Sequence, residues 1–275
     1  MLAIRPPDLP PPSENDVLYE KLDGFARITL NRPLVLNAID WSVSRWLYRS
    51  LLRADEDNDV RAIILTGAGR AFSSGGDMAA DPQPDDGVLT PNIVDIALKI
   101  WGMQAPVIAA VAGHAVGQGI ELAGICDMTI AADDAKFGEI QIRHGFGPPL
   151  LITPFLVGLK QAKEMLLLGD ILTAEDALRI GLINRVVPRE RLQDEAEGMA
   201  RKIAALNVDT VRLNKRLVNR AYELAGFLGA LDYRSYPELA ELFTGSASDS
   251  AHLNVLREQG WEAFIRERDK LYRQA

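Results

Sequence analysis

Cysteine is nearly absent from this chain, histidine is scarce, and no apolar run is long. Cys126 is the single cysteine among 275 residues. One thiol cannot close an intramolecular disulfide and suits a reducing compartment, where a small buried side chain is its ordinary role. His114, His144 and His252 are far apart, and neither a His-Glu-x-x-His run nor paired cysteines occur, so no metal site is expected. No apolar stretch approaches the ~20 residues of a membrane span. Lys and Arg form no cluster, and the net charge is −8 with a pI of about 5.0. Nucleic acid is therefore an unexpected partner. Met1 to Pro12 hold five prolines but neither the apolar core of a secretory signal nor an Arg/Ser-rich amphipathic pattern. Cytoplasm is the expected compartment.

What is present is ordinary globular material, 48% hydrophobic and 25% charged, ample for a core. Three stretches are expected: a loose proline-rich lead over residues 1–15, an alternating strand and helix region over 16–188, and a helical region over 189–275. Val17 to Leu22 and Phe25 to Leu30 flank Asp23-Gly24, a hairpin turn signal. Asp40 reads as an N-cap, with Val43, Trp46, Leu47, Ser50, Leu51 and Ala54 at helical spacing behind it. Strands are expected at Ala62 to Thr66, Val107 to Val111, Met128 to Ala131 and Leu182 to Val187. Helices are expected near Ile93 to Met103, from Gly119, near Gln161 to Leu168 and near Ala174 to Ile180, the last two stopped by Gly169 and Gly181. Ala80 to Thr90, with three Asp and two Pro, reads as a mobile loop. Beyond Arg189, Leu192, Ala196, Met199, Ala200 and Ile203 share one helical face. A last helix near Leu253 to Leu271 carries Leu256, Trp261, Phe264 and Ile265. The recurrence of strand, turn and helix indicates an α/β fold.

Two of these strands run into glycine-bearing turns. Arg61 to Gly67 continues through Ala71-Phe72 to Ser73-Ser74-Gly75-Gly76-Asp77-Met78. Pro106 to Gly113 continues to Gly117-Gln118-Gly119-Ile120-Glu121-Leu122. Each reads as a buried strand ending in a small-residue turn that starts a helix. Helix N-termini carry N–H groups without intrahelical partners. Two such ends together make a two-donor site for a carbonyl oxygen that gains negative charge.

These segments resemble the crotonase (enoyl-CoA hydratase/isomerase) superfamily over about Val17 to Pro188, and less closely in the helical tail. The resemblance rests on Asn31-Arg32-Pro33, Leu36-Asn37-Ala38, both glycine turns, Cys126-Asp127-Met128, Lys136-Phe137-Gly138, Gly169-Asp170, Ala174, Ala177 and Gly181 to Val187, in that order. It implies a crotonase-like spiral of repeated ββα turns with a C-terminal helical region. It also implies a homotrimer or homohexamer, with Trp261, Phe264 and Ile265 packing partly on a neighbour. The implied activity is enoyl-CoA hydratase-like, water addition or removal on an acyl-CoA thioester. Coenzyme A enters as part of the substrate, with no separate cofactor.

Carried over by position, the oxyanion donors would be the backbone N–H groups of Gly76 and Gln118. Glu121 aligns with one of the two catalytic glutamates of the hydratases, although a carboxylate there would also complement a helix dipole. Gln141 stands where the second glutamate is expected, and an amide is no general acid or base at neutral pH. Glu139 would face the opposite side if this segment were a strand. Glu139 and His144 are near enough in sequence to substitute for the second carboxylate, although His144 reads more simply as a structural residue. Asn37, Ala38, Ser74, Gly75, Asp77 and Met78 should line the coenzyme A site, with Asp77 capping a helix start. Arg268 and Lys270 read as solvated charge. The acyl pocket is expected to draw on Ile93, Ile96, Trp101 and Met103.

Three alternatives stand beside hydration. One is thioester hydrolysis or double-bond isomerisation on the same fold. Another is acyl-CoA binding without turnover. A nicotinamide enzyme reading Gly117-x-Gly119 as a dinucleotide turn meets Leu122 where a third small residue is required.

Overall fold

The computed structural model describes residues 9–80, 83–248, 251–268 and 270. Much of the proline-rich lead and the expected helix end at Leu271 lie outside the described residues. Ser13 already caps a short 3₁₀ turn at Glu14–Asp16. Strand β1 (Val17–Lys21) then pairs antiparallel with β2 (Ala26–Leu30) around Asp23-Gly24.

Four more strands extend this hairpin in parallel: β3 (Ile63–Gly67), β4 (Val107–Val111), β6 (Met128–Ala132) and β9 (Arg185–Val187), in the order β1-β2-β3-β4-β6-β9. A smaller sheet holds β5 (His114–Val116), β7 (Lys136–Gly138) and β8 (Leu172–Thr173). The two sheets are rungs of one spiral. Three of the parallel strands continue, after a short turn, into the inner ladder: β4 into β5, β6 into β7, and β3 into Ser73, which bridges Ala115. Helix α3 (Gln118–Ile125) then leaves the inner rung after β5.

Strand alternation divides the large sheet between two cores. Ile63, Leu65, Val107, Ala109 and Val111 point to the face covered by α1 (Trp41–Glu56) and α2 (Ile93–Gly102). Ala62, Ile64, Ile108 and Ala110 point the other way, against Leu192, Ala196 and Ala200 of a later helix, Leu192–Ala204. The apolar face read at 192–203 is thus spent on the chain's own sheet. Asp40 caps α1 through the Val43 N–H, as the sequence indicates.

Other elements depart from expectation. No helix follows Met78: residues 71–80 form bridges and a turn. The 80–90 loop is anchored rather than loose, because the largely buried Arg45 reaches Asp86 at 2.7 Å, the Val88 carbonyl at 3.2 Å and Thr90 at 3.0 Å; Asp81 and Pro82 lie outside the described residues. Among the described residues no helix is long and apolar enough to cross a membrane.

Asn37 holds the loop between β2 and α1. It is fully buried, at φ 55°, and uses its whole amide: Oδ1 accepts from Arg32 N–H, and Nδ2 donates to the carbonyls of Ala68 and Ala71. Asn37→Ala removes the side-chain partner of two buried backbone groups, Arg32 N–H and Ala71 O, and of the half-buried Ala68 O. Each such group costs about 1–3 kcal/mol. Denaturant unfolding should show a loss of at least ~2 kcal/mol, and an unchanged midpoint would rule out this bracing role.

Candidate active site

A cavity of about 300 Å³ opens where the two glycine turns meet. Ser74, Gly76, Asp77 and Met78 line one side, and Gly117 and Gln118 another. Ile39, Ile140, Gln141, His144, Phe146 and Pro149 complete the lining. Gly75, at φ +91°, lets the two turns approach: a Cβ there would lie 2.7 Å from the Val116 carbonyl and 3.2 Å from Gln118 N. Gly119 is packed as closely, since a Cβ would fall 2.5 Å from Ser73 O.

Main-chain pairing sorts the donors. Ser73 N–H goes to His114 O, Ser74 N–H to Leu36 O, Gly75 N–H to the Ser73 hydroxyl, and Asp77 N–H to Ile39 O. Across the cavity, Gly117 N–H goes to Gly138 O, while Ile120 and Glu121 N–H close on Gly117 O. Gly76 N–H and Gln118 N–H have no partner among the described residues. Only Gln118 begins a helix, so the expectation of two helix ends is corrected to one helix end and one extended segment. The Gln118 side chain lies over Gly76, with its amide carbon 3.5 Å from where a Cβ would be.

Asp77 accordingly caps a turn rather than a helix. One oxygen accepts from Ala79 N–H at 3.1 Å, and the other pairs with Arg32 at 3.2 Å. Arg32 is buried and also pairs with Asp40 at 3.0 Å. Burial raises the Asp40 carboxyl despite the Val43 N–H and the Arg32 charge that oppose it. Asn37 and Ala38 do not line the cavity; Ile39 takes that place.

Glu121 sits one turn into α3, fully buried and behind the cavity wall. Facing it is a 3₁₀ turn, Ile140–His144, that begins as β7 stops at Gly138. This turn breaks strand alternation, so Glu139 and Gln141 converge instead of facing apart. Gln141 Nε2 donates to Glu121 Oε1 at 2.8 Å and to Glu139 Oε2 at 3.1 Å. The other Glu139 oxygen bonds the Thr153 hydroxyl. Burial and the nearby Glu139 charge push Glu121 well above the usual carboxylate range, offset in part by the Leu150 N–H and Gln141. Burial also lifts Glu139, to about 7. Two buried oxygens, Glu121 Oε2 and Gln141 Oε1, have no hydrogen-bond partner among the described residues; the Leu150 N–H lies near the Glu121 carboxylate without closing such a bond.

Several positions differ from their reading in the sequence. Arg268 is buried rather than solvated and lies 3.5 Å from His144 Nε2, beside Phe264; Lys270 is exposed and pairs with Glu267 at 3.6 Å. Ile93, Ile96 and Met103 belong to the core, and Trp101 stacks on Phe227, so none of the four lines the cavity. Cys126 is buried and inert, its thiol pushed far up by burial. Thr153, Phe146 and Pro149 had no signal in the sequence beyond lying downstream of Gln141.

Residues 20–232 match the family model for enoyl-CoA hydratase/isomerase, reaching past the span of the sequence resemblance. A probable enoyl-CoA hydratase of Mycobacterium bovis is 36% identical over 257 residues, 92% of this chain and 95% of its own length. A short-chain-enoyl-CoA hydratase of Clostridium acetobutylicum is 35% identical over 220 residues, 76% of this chain and 83% of its own. The crystal structure of an enoyl-CoA hydratase/isomerase from Xanthobacter autotrophicus Py2 superposes with a TM-score of 0.84 at 39% identity, covering 93% of this chain and 97% of that one.

The unpaired Gly76 N–H can be deleted by proline, whose Cβ would meet the Gln118 amide at an ordinary contact distance of 3.5 Å. Gly76→Pro removes one donor, and turnover should fall on the order of a hundredfold or more while the fold persists. Full activity in a folded variant would place the hole elsewhere.

Proposed function

The chain belongs to the enoyl-CoA hydratase/isomerase family, and we propose that its reaction is water addition to, or removal from, the Cα–Cβ bond of an acyl-CoA thioester. The observation that carries this reading is the pair of unpartnered acceptors, Glu121 Oε2 and Gln141 Oε1, beside the cavity. One water molecule has two O–H donors and satisfies both. Its lone pair is then free to attack.

The steps follow from the donors available. The thioester oxygen accepts from Gly76 and Gln118 N–H. Ionised Glu121 takes one proton from water as the oxygen attacks Cβ. The Cα–Cβ π electrons move toward the carbonyl, and the enolate oxygen gains the charge that the two N–H groups stabilise. The proton on Glu121 then passes to Cα. Water's oxygen and one hydrogen end on Cβ, the other hydrogen on Cα, and Glu121 is restored. A single carboxylate therefore serves both transfers. Its raised affinity for a proton makes it a stronger base when ionised. Ile39, Met78, Ile140, Phe146 and Pro149 give the cavity an apolar lining suited to an acyl chain.

Enoyl and hydroxyacyl thioesters, followed by mass spectrometry, test the reading. Gain or loss of water supports it. Free acid alone would indicate hydrolysis, a product of unchanged mass isomerisation, and binding with no product a non-catalytic protein. Glu121→Gln should abolish turnover and leave coenzyme A binding nearly intact. A protonated Glu121 cannot take water's proton, so the hydration rate should rise with pH. Its acid limb should lie well above the 4.5 of an ordinary glutamate. A limb at the ordinary value would remove Glu121 from the proton-transfer role.

Self-association belongs to the same proposal, with a different surface. Phe264 is fully buried within its own chain, and the Trp261 side chain lies outside the described residues. Helix Val208–Leu224 instead turns Lys215 and Asn219 inward, to Asp127 and the Trp101 carbonyl. It leaves Leu213, Leu217 and Val218 exposed at 56%, 59% and 59%. Sedimentation should give three or six copies of the 30.2 kDa chain; a monomer at micromolar concentration would reject this.

A further inference from the structure

An amide that bridges two carboxylates has little freedom in how it faces. Both N–H bonds of Gln141 are spent, one on Glu121 and one on Glu139. The carbonyl oxygen is what remains, buried and unpartnered. Turning the amide over would set Oε1 against carboxylate oxygens and leave its N–H groups without those acceptors. The two carboxylates do not fix it equally. In the proposed reaction Glu121 gains and loses a proton in each turnover, and a protonated Glu121 could donate to Oε1 and favour the flipped amide. Glu139 does not line the cavity, is 2% exposed, and has its other oxygen held by the buried Thr153 hydroxyl.

We propose that Glu139 is a positioning residue of this site: it locks the Gln141 amide with its carbonyl oxygen toward the reacting water while Glu121 cycles between its two protonation states. The inference rests on the water-addition reading, which it deepens. It also explains how glutamine can serve beside a catalytic carboxylate. The amide contributes an acceptor only, so the site holds a donor, water or a substrate hydroxyl, between Gln141 Oε1 and Glu121. Glu139 has a second effect, because its negative charge raises the proton affinity of Glu121. Two other groups face Glu121. Arg234 favours its ionised form, and Tyr233, pushed up to about 12 mainly by burial, is neutral.

The test is Glu139→Gln, with Thr153→Val as a second variant that leaves the carboxylate but removes its anchor. The Glu139→Gln side chain keeps the volume and can still accept from Gln141. Its own amide can also present N–H groups to Gln141 Oε1, and it carries no charge. Both variants should lower kcat, Glu139→Gln by about tenfold or more. KM should stay within about twofold, because neither residue touches the cavity. In Glu139→Gln the acid limb of the pH–rate profile should move down toward the ordinary carboxylate range. A ¹³C-carboxyl titration of Glu121 by NMR reads the same shift without turnover. If wild-type protein hydrates no enoyl thioester, the reaction assignment fails by itself, and the titration still judges the Glu139–Glu121 coupling. An unmoved Glu121 midpoint, an unchanged kcat in both variants, or a rise in KM that accounts for the whole loss would overturn the proposal. Should Glu139→Gln fail to fold, the kcat and KM of Thr153→Val decide.

Discussion

Everything at this site depends on how the five residues from Ser73 to Asp77 are tied. Between Ser73 and Asp77, four N–H groups are bonded, to His114 O, Leu36 O, the Ser73 hydroxyl and Ile39 O. The fifth, Gly76, is left facing the cavity. The segment is held on one side by the inner β-ladder and on the other by the loop that Asn37 braces. Arg32 ties that loop to Asp77 and to the cap of α1, in a buried charge network. Removing one member of such a network is costly, about 3–5 kcal/mol, because it strands a buried charge. A donor fixed this way needs little reorganisation when charge develops in front of it, which is what makes preorganised N–H groups effective.

Opposite this backbone device lies a side-chain device of a different kind. Two buried carboxylates within reach of one amide cannot both ionise freely, since burial and their mutual repulsion each favour the neutral acid. Both carboxyls are therefore raised, Glu121 by burial and by the Glu139 charge, Glu139 by burial. Gln141 supplies the polar contact that makes this burial tolerable, and Thr153 supplies another. Desolvation thereby raises the proton affinity of Glu121, the property that the proposed water addition asks of it.

How much of this was legible in the sequence depends on the scale of the contact. The glycine turns were legible because glycine carries its own reason: Gly75 and Gly119 stand where any Cβ would meet backbone. The strand hairpin, the Asp40 cap and the buried strands followed from local chemistry and apolar spacing. The segment after Met78 was misread because small residues after a strand suit a helix start and an extended bridge equally well. What selects the bridge is pairing with Ile39, almost forty residues earlier. The placement of Glu139 turned on a related point. The i, i+2 rule that governs side chains along a strand holds only while the chain remains a strand, and β7 ends one residue before Glu139. The acyl lining was misassigned to α2 because an apolar helical face does not say which neighbour it packs on.

Arg268 carries that lesson into the helical tail. Read alone, Arg266, Arg268 and Lys270 are alternating charges on a terminal helix, and solvent is their natural surrounding. In the fold, Phe264 and Arg268 lie one turn apart on Trp261–Arg268, and both are buried beside His144, which lines the cavity. The last described helix is thus packed onto the wall of the site rather than appended to the domain. A guanidinium has donors only, and here it lies 3.5 Å from the imidazole Nε2, so the tail meets the cavity wall at His144. The tail thus braces a cavity wall that also carries Gln141, held in the turn after β7, with Glu121 of α3 behind it.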